Sequence, residues 1–144
     1  MTLYLDTSSL MKLFVDEPGG DEVRQHLSEA AAVATSLITY AEVRATLARL
    51  RRTGSVTAAG FRSVKREFDA DWFKYMVVEP SLDLCRAAGE LAERYHLRGC
   101  DSIQLASFLD VVRESTGSEV RFSSFDRELN RAASRALRAI RRSG

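Results

Sequence analysis

The stretch Leu3-Tyr4-Leu5-Asp6-Thr7-Ser8-Ser9-Leu10 decides how this chain is read. A short apolar run stops at a carboxylate. Three small hydroxyl residues follow, and helix-like spacing resumes at Leu10, Leu13 and Phe14. The pattern predicts a first β-strand ending in Asp6, with a short helix from Ser8 to Val15 after it. In open α/β sheets, ligands bind beyond the carboxyl ends of the strands. Asp6 is therefore placed for chemistry. Asp is also a good helix N-cap, and the octapeptide alone leaves cap and catalyst equally open.

Beyond this stretch, Asp16-Glu17-Pro18-Gly19-Gly20 is the clearest breaker cluster, and Asp21 is expected to cap a second helix. Ala31 to Thr35 reads as a second buried strand. Ser36 to Arg52 and Thr57 to Phe73 read as two long helices joined at Thr53-Gly54, forming a protruding helical hairpin. Met76 to Glu79 is a third strand, stopped by Pro80, and Leu82 to Tyr95 a helix broken at Gly99. Cys100-Asp101-Ser102 opens the most apolar helix, which is expected to be central. Val120, Phe122 and Phe125 belong to a fourth strand region around Glu119 to Ser124. The last helix starts at Asp126 and runs through Arg127 to Ala133. The tail, Ser134 to Gly144, fits either a continuation of that helix or a short edge strand. Alternating strands and helices imply an α/β fold, a parallel sheet covered on both faces. One domain, residues 1–144, is expected.

The composition agrees. The chain has 144 residues, 45% hydrophobic and 28% charged, enough for one core and not two. Two cysteines, Cys85 and Cys100, are too few for a disulfide framework and read as core residues. With no basic N-terminal region leading into an apolar stretch, no signal peptide is expected. No run approaches the ~20 apolar residues of a membrane helix. A reduced, cytoplasmic setting is the expectation.

Asp6 has company. Glu42 lies near the start of the helix after the second strand, Asp101 opens the central helix, and Asp126 stands where the fourth strand meets the last helix. In a parallel sheet such junctions share one edge, so four distant acids would converge. Two like charges ~5 Å apart at an effective dielectric near 20 repel by about 3 kcal/mol. A cluster must therefore hold protons or bind a cation, and all-oxygen sites suit Mg²⁺ or Mn²⁺. The hydroxyls of Thr7, Ser8 and Ser123 would orient waters around such an ion. Each acid also has a structural reading. Thr39-x-x-Glu42 matches a capping box, and Asp101 and Asp126 are acceptable N-caps.

LDTSSLMKLF, SLITYAEVRATLARL, GCDSIQLASFL and RFSSFDREL resemble, in order and spacing, the four conserved segments of PIN-domain ribonucleases, in particular the VapC toxins of VapBC toxin–antitoxin pairs. The resemblance runs from residue 3 to about residue 133. It places the family's acidic set on Asp6, Glu42, Asp101 and Asp126, with Asp6 and Asp101 foremost as metal ligands. Ser123-Ser124 stands where many relatives read Thr. The resemblance implies a Rossmann-like PIN fold with a central parallel sheet of four to five strands. It also implies a Mg²⁺ or Mn²⁺ cofactor and hydrolysis of RNA phosphodiester bonds by a metal-activated water. A homodimer and inhibition by a VapB-like antitoxin would follow.

The charge distribution suits such a substrate. From Val43 to Arg66 the chain carries seven basic residues, Arg44, Arg51 and Arg52 among them, and no acid. From Arg127 to the end there are six arginines against Glu128. Two such one-sided blocks in a chain of net charge +1 predict phosphate contact, with Arg127 nearest the acids. Other chemistries fade. His26 and His96 stand alone, and no P-loop or GxGxxG is present. A haloacid-type phosphatase needs Asp where Ser8 stands, and a receiver needs an acceptor Asp where Glu79-Pro80 ends its strand. The remaining rival is a PIN-like module that binds RNA or a partner without cutting. Which RNA is cut, transfer, ribosomal or messenger, is left open.

Overall fold

The structure, a computed structural model, describes residues 1–144. The N-terminal apolar run forms β1 (Thr2–Leu5), in which Leu3, Tyr4 and Leu5 are completely buried. Successive strand residues face opposite ways. Leu3 and Leu5 therefore enter one core layer and Tyr4 the other. After β1 come α1 (Thr7–Met11), α2 (Gly20–Glu29), β2 (Ala32–Ser36), α3 (Ile38–Arg52) and α4 (Ala58–Trp72). The chain continues through β3 (Met76–Val78), α5 (Leu82–Tyr95), α6 (Gly99–Glu114), β4 (Val120–Ser123) and α7 (Arg127–Ser143).

The four strands form one parallel sheet in the order β3-β2-β1-β4. The chain steps from β1 to one side through β2 and β3, then returns to the other side with β4. The β1–β4 boundary is thus the switch point, where helices leave in opposite directions and a crevice opens. Leu5 pairs with Ser123, so Asp6 and the β4–α7 turn emerge together.

One face of the sheet carries α6 and α7. Leu105, Phe108, Leu109, Leu129, Ala132, Ala133 and Ala136 pack there around Tyr4. The other carries α1 to α4, with Leu10, Val23, Val43, Leu47 and Phe68 packed against Leu3 and Leu5. Each fully buried Leu or Phe stabilises the fold by about 1.5–3 kcal/mol. The α6 helix is as central as its composition foretells, with eight of its residues buried. The α3–α4 hairpin has its base in the core, through Val43, Leu47 and Phe68, and exposes its tip at residues 51–55. The tail is settled as helix: α7 runs unbroken to Ser143. No helix is long and apolar enough to cross a membrane.

Several local expectations are corrected. Asp21 does not cap α2; Gly19 does, at φ +95°, with Asp21 in the first turn. Gly99 does not break α5. His96 ends it in a left-handed conformation (φ 55°), and Gly99 is the first residue of α6. The capping box at Thr39 does not form, because α3 starts from Leu37 and Thr39 is already inside it. Leu37 and Ala41, which helical spacing places on the apolar side with Tyr40, Leu47 and Leu50, are exposed. Cys85 and Cys100 are exposed, not core. Phe125 lies past the end of β4 and is 41% exposed.

Gly19 is a tight spot. A Cβ there would stand 2.5 Å from the Phe125 ring, on a backbone that side chains rarely adopt. Gly19→Ala is therefore expected to destabilise the fold by about 1–2 kcal/mol, read as a lower midpoint in urea with an unchanged slope.

Candidate functional site

Asp6 caps α1 and at the same time opens the site. Its Oδ1 accepts from Ser8 Oγ at 2.7 Å and from the Ser9 amide at 2.9 Å; its Oδ2 accepts from Ser124 Oγ at 2.6 Å. Only 4% of the residue is exposed. Burial pushes its carboxyl above the usual carboxylate range. The hydrogen bonds from Ser124, Ser8 and Ser9 pull back, and the charge of Asp126 pushes further up. Asp126 caps α7 through Oδ1 to the Leu129 amide at 2.9 Å. Both acids cap a helix and face the same cavity.

Glu42 stands one turn into α3. Its Oε1 accepts from Thr7 Oγ1 at 2.7 Å and from Gln104 Nε2 at 3.2 Å. Asp101, in the first turn of α6, does not cap it; Arg98 holds that position, its Nε lying 3.5 Å from Asp101 Oδ2. Burial again raises the Asp101 carboxyl, with the Asp126 charge adding to the effect and Arg98 opposing it.

All four acids line one cavity of about 320 Å³ at the switch point. Lys12, Glu17, Thr7, Ser8 and Gln104 share its wall. Three of the acids keep an oxygen free of hydrogen bonds: Oε2 of Glu42, Oδ2 of Asp126, and Oδ1 of Asp101, whose Oδ2 faces Arg98 at 3.5 Å. These are hard oxygen donors that suit Mg²⁺ or Mn²⁺ in type. They are not drawn into a closed shell: no three acidic, His or Cys side chains are grouped closely enough to hold an ion unaided.

The hydroxyls divide their work differently from the sequence reading. Thr7 binds Glu42 and Ser8 binds Asp6. Ser123 pairs instead with Ser9 Oγ at 2.8 Å, and its neighbour Ser124 reaches Asp6 while accepting from the Asp126 amide at 3.0 Å. Ser124 thus links two of the acids.

Gln104 was not foreseen. It is 3% exposed, and Tyr4 Oη donates to its Oε1 at 2.8 Å. That bond sets which end of the amide is which. The Nε2 end is left to donate to Thr39 Oγ1 at 2.8 Å, Thr7 Oγ1 at 3.2 Å and Glu42. The available signal was a lone amide within a run of apolar residues, one turn after Asp101 on the same helix face.

Among the basic candidates, Arg44 is spent inside the hairpin. It donates to Tyr40 Oη at 2.8 Å and lies 3.7 Å from Asp69. Arg51 and Arg52 are exposed at the far end of α3, about 14 Å along the helix from Glu42 at 1.5 Å per residue. Arg127 is exposed directly after Asp126.

A parallel sheet with acids gathered at its switch point defines an open-sheet α/β protein built around an acidic cavity. Residues 3–135 match the PIN domain. Ribonuclease VapC45 of Mycobacterium tuberculosis is 32% identical over 109 residues, 76% of each chain. Among solved structures, FitAcB from Neisseria gonorrhoeae superposes with a TM-score of 0.65 at 16% identity, covering 92% of this chain and 93% of that one. VapBC2 from Rickettsia felis, bound to a DNA fragment from its promoter, gives 0.58 at 12%, covering 88% and 100%. The chain belongs to the PIN-domain family and is a VapC-like member of it.

Two outcomes are expected. Because its folded pKa lies above its unfolded one, Asp6 supports stability below about pH 4 and loses that contribution as pH rises through the folded value. Asp6→Asn should therefore melt higher than chelator-treated wild type at pH 7, by a few degrees, with the gap closing toward pH 4 in a thermal series. Gln104→Met leaves the buried Tyr4 hydroxyl without its acceptor and should cost about 1–3 kcal/mol by denaturant titration.

Proposed function

We propose that this chain is a divalent-metal-dependent endoribonuclease and the toxin of a toxin–antitoxin pair. The observation that carries the reading is the cavity itself. Four acids meet at the switch point, three of them with an oxygen to spare, beside a buried carboxylate that resists carrying its charge alone. A cation is the simplest partner for such a set. The similarity to a protein named a ribonuclease supports RNA as the substrate.

In this reading Asp6, Glu42, Asp101 and Asp126 are the site residues, with Asp6 and Asp101 as the principal ligands of Mg²⁺ or Mn²⁺. When bound, the ion supplies Lewis acidity at the phosphate and makes water a stronger nucleophile at neutral pH. The chain's own work is positional. Ser8, Ser9 and Ser124 fix the Asp6 carboxylate, while Thr7 and Gln104 fix Glu42. Water adds to phosphorus in line as the bond to the 3′-oxygen breaks, and the leaving oxygen takes up a proton. The products carry a 5′-phosphate and a 3′-hydroxyl. Arg127, exposed beside Asp126, and Arg51 and Arg52 at the hairpin tip would meet flanking phosphates. A VapB-like antitoxin is the proposed partner, in keeping with the VapBC2 neighbour, and the family resemblance favours a homodimer acting in the cytoplasm.

One observation favours the rival reading of a non-cutting, RNA-binding module: the carboxylates do not close on an ion by themselves. The assay decides between them. Purified chain, freed of any antitoxin, should cut single-stranded RNA with Mn²⁺ or Mg²⁺ and stop when EDTA is added. Asp6→Asn, a variant expected to be at least as stable as wild type, should lose about 100-fold or more in kcat. An Asp6→Asn protein that cuts at the wild-type rate would remove the nuclease reading.

A further inference from the structure

The acid cavity has one basic side chain on its wall, Lys12, among eleven lining residues. Lys12 follows α1 and its side chain is 12% exposed. Its Nζ bonds Glu17 Oε2 at 3.1 Å and sits 4.4 Å from the centroid of the Phe125 ring. An ammonium has three donors, and Glu17 takes one of them. Phe125 is the residue before Asp126, and its amide donates to Ser8 Oγ, the same hydroxyl that bonds Asp6. The backbone at Phe125 is therefore held next to two of the four acids, Asp126 by sequence and Asp6 through Ser8. Phe125 remains 41% exposed, although Gly19 offers its ring edge a surface with no side chain. Phe125 is not part of the cavity wall, but the wall's only cation, Lys12, lies over its ring, and a large part of the ring is left open to solvent.

We propose that Lys12 and Phe125 form a nucleotide subsite on the rim of the acid cavity. Lys12 takes a phosphate adjoining the one among the acids, and Phe125 stacks on that nucleotide's base. The proposal rests on RNA being the substrate of this cavity. A polyanion approaching five carboxylates needs local positive charge, and the two arginine blocks lie outside the cavity lining. Lys12 provides that charge inside it. Glu17 then holds the ammonium in place between turnovers and yields to the phosphate, which binds it more strongly as the substrate enters. Base–aromatic stacking tolerates every base, so this subsite would fix where the chain lies and leave sequence choice to other contacts.

The bland alternative is that Lys12 only ties the α1–α2 loop down through Glu17. The two differ in measurable ways. Binding of a labelled single-stranded RNA is followed by fluorescence anisotropy across a KCl series, and cleavage of the same RNA is followed with Mn²⁺. Lys12→Met keeps the apolar stem and removes the charge. It should raise KM about tenfold with kcat within about twofold, and lower the slope of log affinity against log salt by about 0.7, one phosphate contact on a single strand. Lys12→Arg should restore most of the binding. Phe125→Leu should weaken binding about five- to tenfold with the salt slope unchanged. Glu17→Gln should bind as well as wild type or better. Equal losses in Lys12→Met and Glu17→Gln, or a Lys12→Met protein with wild-type KM and slope, overturn the subsite and leave the nuclease reading standing. RNA that binds with the Lys12 and Phe125 effects yet is never cut with either metal overturns the nuclease reading and leaves the subsite.

Discussion

A carboxylate that is 96% hidden from water at the end of a central strand constrains everything around it. Burying such a charge without partners costs several kcal/mol. Asp6 is therefore supplied from three directions: Ser8 and Ser9 from its own helix, and Ser124 from across the sheet. These bonds satisfy the oxygens but leave the desolvation only partly offset, so the group still resists ionising. That residual cost is the physical ground for proposing a cation at this site. The parallel β1–β4 register is the geometric condition, because without Leu5 opposite Ser123 the turn bearing Ser124 and Asp126 would not reach Asp6.

The same logic runs one layer deeper at Gln104. A buried amide must have its donors and acceptor matched, or it destabilises the core it sits in. Tyr4, pointing from β1 into the α6–α7 layer, takes the acceptor end, and the donor end is thereby aimed at Thr39, Thr7 and Glu42. Burial holds the Tyr4 phenol far above its usual range, so the hydroxyl stays protonated as the donor this arrangement requires. The orientation of Glu42 is thus set by a chain of bonds beginning at the middle of the central strand. Fold and site are coupled through one side chain, with no ligand needed to establish the link.

What could be read in the sequence follows from how local each feature is. The four acids were legible because each sits at a junction that hydrophobic pattern alone locates, and a parallel sheet sends such junctions to one edge. Gln104 was not legible in its role, since its partners lie 62 to 100 residues away and no spacing rule connects them. The capping-box alternative for Thr39 and Glu42 fails because that motif describes one turn of helix and nothing beyond it. The hydroxyl of Thr39 is instead claimed by Thr35, at 3.0 Å, and by Gln104. Ser123 and Ser124 are adjacent at the end of β4, and which of the two hydroxyls reaches Asp6 is set by the β1–β4 register and not by spacing in the sequence. Arg44 looked free because Asp69, its partner, arrives from the other helix of the hairpin.

Charge explains why the arginines stand where they do. If basic side chains lined the cavity in number, they would neutralise the acids and remove the need for a cation. None of these arginines lines the cavity: they lie along α7, with Arg127 directly after Asp126, and on the α3–α4 hairpin, with Arg51 and Arg52 at its exposed tip. Placed there, they add positive charge around the cavity without pairing with any of its four acids. The four-acid cavity keeps its negative potential because the one cation on its wall is itself paired, through Lys12 and Glu17, until something more strongly charged than a carboxylate arrives.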